Sequence, residues 1–338
     1  MNWRDQLKGE PFPWLLETDD PGPRYLTLRD LLDMPPNSPE LLDSKKKAHT
    51  DGPIAIILNK MHPEGYWVKP GPGYSPKYRS NVWSLLLLAQ LGASLDMDER
   101  IAWAVQYYLE NAVFPDGQIS HDKKPSGTFD CLQGNMCYAL FSLGCRDPKL
   151  AAAFDWMART VTGEGMAPQS DKNERYRWHN HQCGPLFACS ANAHQSCAWG
   201  AVKCLLAFGV LPRNRRTPRI KQAIRAGVDF FFSVNPFKAA WPTRDGTKPN
   251  PFWWKFGFPV FYITDLLQAV EALVLLGYGD DQRLAETLDF IISRQNEQGH
   301  WLLELDYAGK TWLDSGPKNK PSKWVTLRAL KVLKMIGA

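Results

Sequence analysis

No stretch of the 338-residue chain is apolar for long enough to span a bilayer, which takes about 20 consecutive residues. The opening run MNWRDQLKGEPFPW carries charges throughout and lacks the apolar core of a secretory leader, so a cytoplasmic protein is expected. An excess of one charge is missing too. Forty Lys and Arg stand against 35 Asp and Glu, and the two signs are interspersed, which gives nucleic acid little to hold. Seven cysteines without an export signal fit a reducing compartment and argue against a disulfide framework. Strand signals are too short and scattered for a sheet protein.

What the chain has in abundance is apolar helix and tryptophan. Hydrophobic residues make up 44% of it and 14 residues are Trp, enough for a large core and more aromatic surface than a core alone requires. Five apolar, helical-period segments run to a glycine, at Gly92, Gly144, Gly209, Gly277 and Gly337, as helices with left-handed C-caps do. A sixth, YLTLRDLLDMPP, stops at Pro35 and Pro36. Most are followed by an amphipathic partner: RIAWAVQYYLENAV, PKLAAAFDWMARTV, TPRIKQAIRAGVDFFFSV and QRLAETLDFIISRQ. The first helix of each pair is apolar nearly all round and reads as buried; the second has a charged face and reads as outer. Repetition of such pairs at intervals of about 50 to 70 residues predicts an all-α double ring, an (α/α)6 toroid, as one domain over residues 1–338. Long loops precede the inner helices at about 62–79, 113–131, 162–193, 236–261 and 298–322, so they are expected to gather at one mouth of the ring.

The run QNEQGHW, with Gln295, Gly299 and Trp301, has a degraded cousin in KMHPEGYW, with Gly65 and Trp67. The Q-x-x-x-G-x-W pattern resembles the QW repeat of squalene cyclases and related triterpene cyclases, in the prenyltransferase/squalene-oxidase repeat superfamily. The helix-pair rhythm extends the resemblance over nearly the whole chain. It implies that Gln295 and Trp301 tie an outer helix to the next inner one and do not catalyse. The catalytic D-x-D-D of class II terpene cyclases is absent, as is a D-D-x-x-D array for magnesium diphosphate. Asp96-Met-Asp98-Glu99 and Asp280-Asp281 both follow inner helices, at the wrong end of the ring. The G-C-G-E-Q string of thioester toroids is absent as well.

Candidate chemistry therefore lies in the loops. Cys131 precedes one inner helix, and the cluster HNHQCGPLFACSANAHQSC precedes the next. Within it Cys183, Cys189, Cys197 and His194, joined by Cys131, offer thiolates and an imidazole suited to zinc. The alternative is that the cysteines are small buried hydrophobes, as expected for Cys137, Cys145 and Cys204. The resemblance adds that some relatives of this ring hold zinc through Cys and His, but no ligand motif carries over. Asp130 and Asp265 stand at inner-helix entrances, where a partly desolvated carboxyl can act as general acid; helix capping is the competing role. Trp83, Trp199, Trp253, Trp254 and Tyr262 are candidates for an aromatic wall that holds a polyprene chain, with packing as the alternative. Arg79 and Lys323 are candidate anion clamps, and Lys77, Arg175, Arg177 and Lys320 belong to the same basic group.

Three functions follow. The first is an isoprenoid-handling, terpene cyclase- or prenyltransferase-like transferase or isomerase with a nonstandard site at the mouth and a small hydrophobic ligand. It predicts an enclosed, aromatic-lined central cavity. The second is a carbohydrate-active (α/α)6 enzyme, which needs paired carboxyls, for which Asp130 and Asp265 are the candidates. The third is a binding or scaffold toroid without catalysis.

Overall fold

The computed structural model describes residues 2–164 and 183–337, and the helical repeats of the sequence account for its framework. Six helices form an inner ring: α1 (Pro21–Leu26, continued by a π-helical turn Thr27–Leu31), α4 (Asn81–Gln90), α6 (Asp130–Ser142), α8 (Ala198–Val210), α10 (Leu266–Leu276) and α12 (Lys323–Ile336). Between them run the outer helices α2 (Pro39–Thr50), α3 (Pro53–Leu58), α5 (Glu99–Ala112), α7 (Pro148–Thr162), α9 (Pro218–Phe231) and α11 (Ala285–Ser293). Each inner helix from α4 to α12 packs on the next, and α12 packs on α1. The ring closes where α1 lays Tyr25, Leu26 and Arg29 against Gly92, just past α4. The fold is an all-α toroid.

Helix burial follows the sequence pattern. Every residue of α4 except its last is buried, whereas outer α5 and α9 bury a single apolar stripe. The acidic strings after inner helices cap the next element: Asp98 accepts from Arg100 N at the start of α5, and Asp281 accepts from Arg283 N before α11. Three of the five expected terminal glycines are left-handed, Gly92, Gly144 and Gly277 (φ 77°, 102° and 94°). The other two differ. Gly209 lies inside α8, where it lets the backbone approach Leu275 of α10, and Gly337 ends α12 without a positive φ.

One tie recurs three times and holds outer helices to inner ones. Gly65, Gly117 and Gly299 are left-handed turn residues, each followed two positions later by a fully buried side chain, Trp67, Ile119 or Trp301. The backbone N–H of that residue donates to a side chain on the next inner helix: Asn81 Oδ1 (2.9 Å), Gln133 Oε1 (2.9 Å) or Thr326 Oγ1 (3.0 Å). Both indoles also donate back to the preceding outer helix, Trp67 to Ile57 O and Trp301 to Ile291 O, each at 2.8 Å. Gln295 does something else. Its amide accepts from Lys8 N and donates to Gln6 O, fastening the N-terminal segment across the last repeat, where Gly9 lies backbone to backbone on Gln298 and Gly299.

The only strands among the described residues are three pairs: β1 (Cys183–Gly184), β2 (Ala188–Cys189) and β3 (Gln195–Ser196), an antiparallel sheet at the N-terminus of α8.

Candidate functional site

The ring axis is occupied. The loop before α10 runs inward from the mouth, and Val260 forms a reciprocal pair of hydrogen bonds with the Gln90 amide at the end of α4, both 2.8 Å. Phe258 stacks on Trp324 of α12 (centroids 4.8 Å apart, planes at 5°). What remains of the lumen is a cavity of about 80 Å³ lined by side chains from all six inner helices, including Arg29, Asp30, Glu271, Arg328 and Lys331. Ligand cavities run to about 300–1,000 Å³. The enclosed aromatic central cavity expected from sequence is thus replaced by a small, charged one, because the chain's own aromatic loop fills the axis.

Asp265 belongs to the wall beside this lumen. It is buried, caps α10 through Gln268 N (2.8 Å), accepts from Gly257 N (3.2 Å) and takes two bonds from Arg328 (2.7 and 2.8 Å). A carboxylate so fully engaged is a structural ion pair and capping group, the alternative weighed against a proton donor. Next to it the Lys203 ammonium is wholly buried on α8, donates to Gln268, and is pushed by burial down to about 7.

One cavity of about 490 Å³ lies beside Trp14, Trp312, Trp324 and Lys323, and a roomier one, about 560 Å³, opens at the mouth. Its walls are Cys189, Cys197 and Trp199 on one side and Trp241, Pro242, Pro249 and Trp253 on the other, with Arg244, Asp245 and Lys248 at the rim. Local structure explains the arrangement. Asn192, at the tip of the β2–β3 turn, donates to Pro242 O (3.1 Å) and accepts from Arg244 N (2.9 Å), so the hairpin and the loop before α10 are sewn together. Trp253 is held by a bond from its indole N–H to Pro236 O (3.0 Å). Leu186, Phe187, Ala193 and His194 all have positive φ although none is glycine. Such strained turns are uncommon and concentrate at functional sites.

Beneath this wall lie the thiols. Cys183 and Cys189 are directly opposed across β1 and β2. Cys197 precedes α8 and lies diagonal to Cys189 across the β2–β3 ladder. The neighbouring Cys197 thiol, helped by backbone N–H groups of Ala191 and Asn192, brings the Cys189 thiol down to about 6; burial pushes Cys131 up to about 12. Asp130, at the start of α6, is buried beside them. One of its oxygens meets Thr160 at 3.4 Å and the other has no hydrogen-bond partner. Burial, reinforced by Cys189, raises its carboxyl to about 8.

Among the described residues no group of three or more His, Cys, Asp and Glu is disposed to hold a metal ion. His194 is exposed on the hairpin turn, away from the buried Cys183, because strand alternation and the left-handed turn separate them. His179, His181, Arg175 and Arg177 lie outside the described residues.

The other predicted residues divide between packing and rim. Trp83 is buried among Tyr74, Tyr78 and Phe261, and its N–H donates to Tyr74 O (2.8 Å). Tyr262 stands between this cluster and the cavity, with Trp199 at 6.4 Å and the Lys77 ammonium 4.5 Å over its ring. Trp254 packs away from the cavity, donating to Phe237 O (2.9 Å). Arg79 donates to Gly309 O (2.9 Å) and lies over Trp312 (5.1 Å). Lys323 pairs with Glu17 and Asp20 at 2.7 and 3.3 Å. Neither of these two cations reaches the mouth cavity. Trp241, Arg244 and Lys248 carry no motif of their own in the sequence; their one signal is their place in the long loop 236–261.

No family model matches the chain, and no curated protein matches it. Solved structures similar to it include the type II terpene cyclase MstE from Scytonema without ligand (13% identity, 88% of this chain and 98% of that one, TM-score 0.31). A protein from Actinoplanes is similar at 12% identity over 88% and 99% of the two chains, with a TM-score of 0.34. MstE in complex with merosterolic acid A, its product, is similar at 10% identity over 88% and 97%, with a TM-score of 0.33. Similarity of this size transfers no residue role and no reaction to the present chain.

Proposed function

We propose that this toroid binds a small hydrophobic, isoprenoid-type ligand in the mouth cavity, its apolar chain against Trp199, Trp241 and Trp253 and an anionic head at Arg244 and Lys248. The observation that carries the reading is the cavity itself: about 560 Å³, walled by three tryptophans and with two cations at its rim. A terpene cyclase- or prenyltransferase-like reaction on such a ligand would draw on the groups nearest the wall. Asp130 keeps its proton through neutral pH, has an unpartnered oxygen and lies near the Cys189 thiol of the wall; it does not line the cavity, so donation from it requires a ligand that reaches past Cys189. Zinc has no part in this reading. A carbohydrate-active enzyme is less well supported, since it needs two working carboxyls and Asp265 is fully engaged by Arg328 of α12, which leaves Asp130 without a partner acid.

A binding toroid without catalysis is the second reading, favoured by the filled axis and by the engagement of Asp265 with Arg328. Calorimetric titration with geranylgeranyl diphosphate and with the uncharged alcohol tests the binding claim, and product analysis by mass spectrometry separates the two readings. Saturable binding of the diphosphate, weakened at least about tenfold by Trp199→Ala, is expected. Absence of heat and of any thermal shift with either compound would remove the proposal.

A further inference from the structure

The mouth wall carries two thiols that share one face of a strained hairpin. Cys189 is opposite Gln195 in the β2–β3 register, and Cys197 lies two residues beyond Gln195, still extended (φ −103°, ψ 113°). The ladder continues to it, for Cys197 N donates to Phe187 O at 2.9 Å. With a side-chain period of two, Cys189 and Cys197 are therefore diagonal neighbours on the same face. Both are half-buried and line the cavity, so a small reagent reaches them; Cys183, the direct partner of Cys189, is buried behind.

We propose that Cys189 and Cys197 form a reversible dithiol–disulfide site at the wall of the mouth cavity, oxidised by a low-molecular-weight disulfide. The Cys189 thiolate attacks one sulfur of that disulfide and expels the first thiolate, leaving a mixed disulfide on Cys189. The Cys197 thiol gives up its proton and attacks the Cys189 sulfur, expelling the second thiolate. Two protein thiols are oxidised and one small disulfide is reduced to two thiols. The bridge joins β2 to the residue that precedes α8, across a diagonal pair whose Cα atoms, roughly 7–8 Å apart in a regular sheet, draw together to close it.

The experiment treats the full chain with oxidised glutathione, counts free thiols with Ellman's reagent, and maps linked peptides by mass spectrometry. Two of the seven thiols are expected to disappear, with a Cys189–Cys197 link that dithiothreitol reverses. Cys197→Ser should halt the reaction at a glutathione adduct on Cys189, and Cys183→Ser should leave the link intact; circular dichroism melts establish that each variant is folded. Retention of all seven thiols would overturn the proposal. So would a link between Cys183 and Cys189, or thiols that react only after a chelator, which would mark a metal site. These readouts do not depend on the isoprenoid ligand, so failure of either proposal leaves the other standing.

Discussion

The lumen and the mouth of this ring are built from the same kinds of residue and put them to opposite uses. In the lumen, aromatic side chains of the loop before α10 are packed away against inner helices, and charges are paired with one another: Arg328 with Asp265, Arg29 with Asp30, Lys331 with Glu271. At the mouth, half-buried Trp199 and the inner Trp241 and Trp253 edge onto a cavity, Arg244, Asp245 and Lys248 stand at its rim, and behind the wall the buried Asp130 carboxyl keeps an unpartnered oxygen. Satisfied groups make a wall, while unsatisfied groups beside a cavity make a site. In a toroid the axis is the natural place to seek a ligand. Here a single loop has taken that place, and the available volume has moved outward.

The comparison can be broken most violently in the lumen. Arg328→Met leaves Asp265 as a buried, unpaired carboxylate, and a loss of about 3–5 kcal/mol is expected in denaturant melts, with calorimetric affinity at the mouth unchanged in the protein that remains folded. The two buried titrating groups give opposing pH limbs of a few kcal/mol. Asp130 holds in the native state a proton that the unfolded chain releases near ~3.9, so its stabilising contribution is full below that value and is lost as pH rises to about 8. Lys203 is kept neutral in the native state; its contribution is full above the unfolded value of ~10.4 and is lost as pH falls to about 7. Melting temperatures across the pH range should therefore dip near 7–8. Asp130→Asn should remove the acid-side slope and Lys203→Met the alkaline one.

Smaller effects sharpen the contrast. Gln90→Ala unties both hydrogen bonds that pin Val260 in the axis and should cost about 2 kcal/mol, read as a lower urea midpoint. Trp199→Ala should weaken ligand affinity by about 1.4 kcal/mol or more and, because the half-buried ring also packs on the core, cost about 1 kcal/mol of stability in urea melts. Arg244→Ala is expected to have the least effect, below about 1 kcal/mol in affinity and fading with added salt, because the group lies at a solvated rim.

The ring itself was legible because it depends on periodicity. The apolar segments from Asn81 and Leu266 could only be buried, and the charged faces of the helices at Glu99 and Pro218 could only be outer. The tie at Gly117 was harder to read. Ile119 fills the place that Trp67 and Trp301 fill elsewhere, and what the three share is backbone geometry, not residue type. Gly209 misled because a glycine needed for close packing on Leu275 looks, in sequence, like a helix end. The site residues depended on which loop enters the axis and which stays at the rim. Both halves of that choice lie in one segment: Phe258 and Val260 go inward, while Trp241 and Lys248 stay out. Local composition cannot separate them, since the decision is made by partners distant in sequence, Gln90 and Trp324 for one half and Asn192 for the other.

The most direct test is to photolabel the full chain with a benzophenone-bearing geranylgeranyl diphosphate and identify the modified peptides. Labelling is expected within residues 189–199 or 241–253, suppressed by unlabelled geranylgeranyl diphosphate. Labelling instead at Tyr138, Leu206 or Trp324, around the axis, would contradict binding at the mouth.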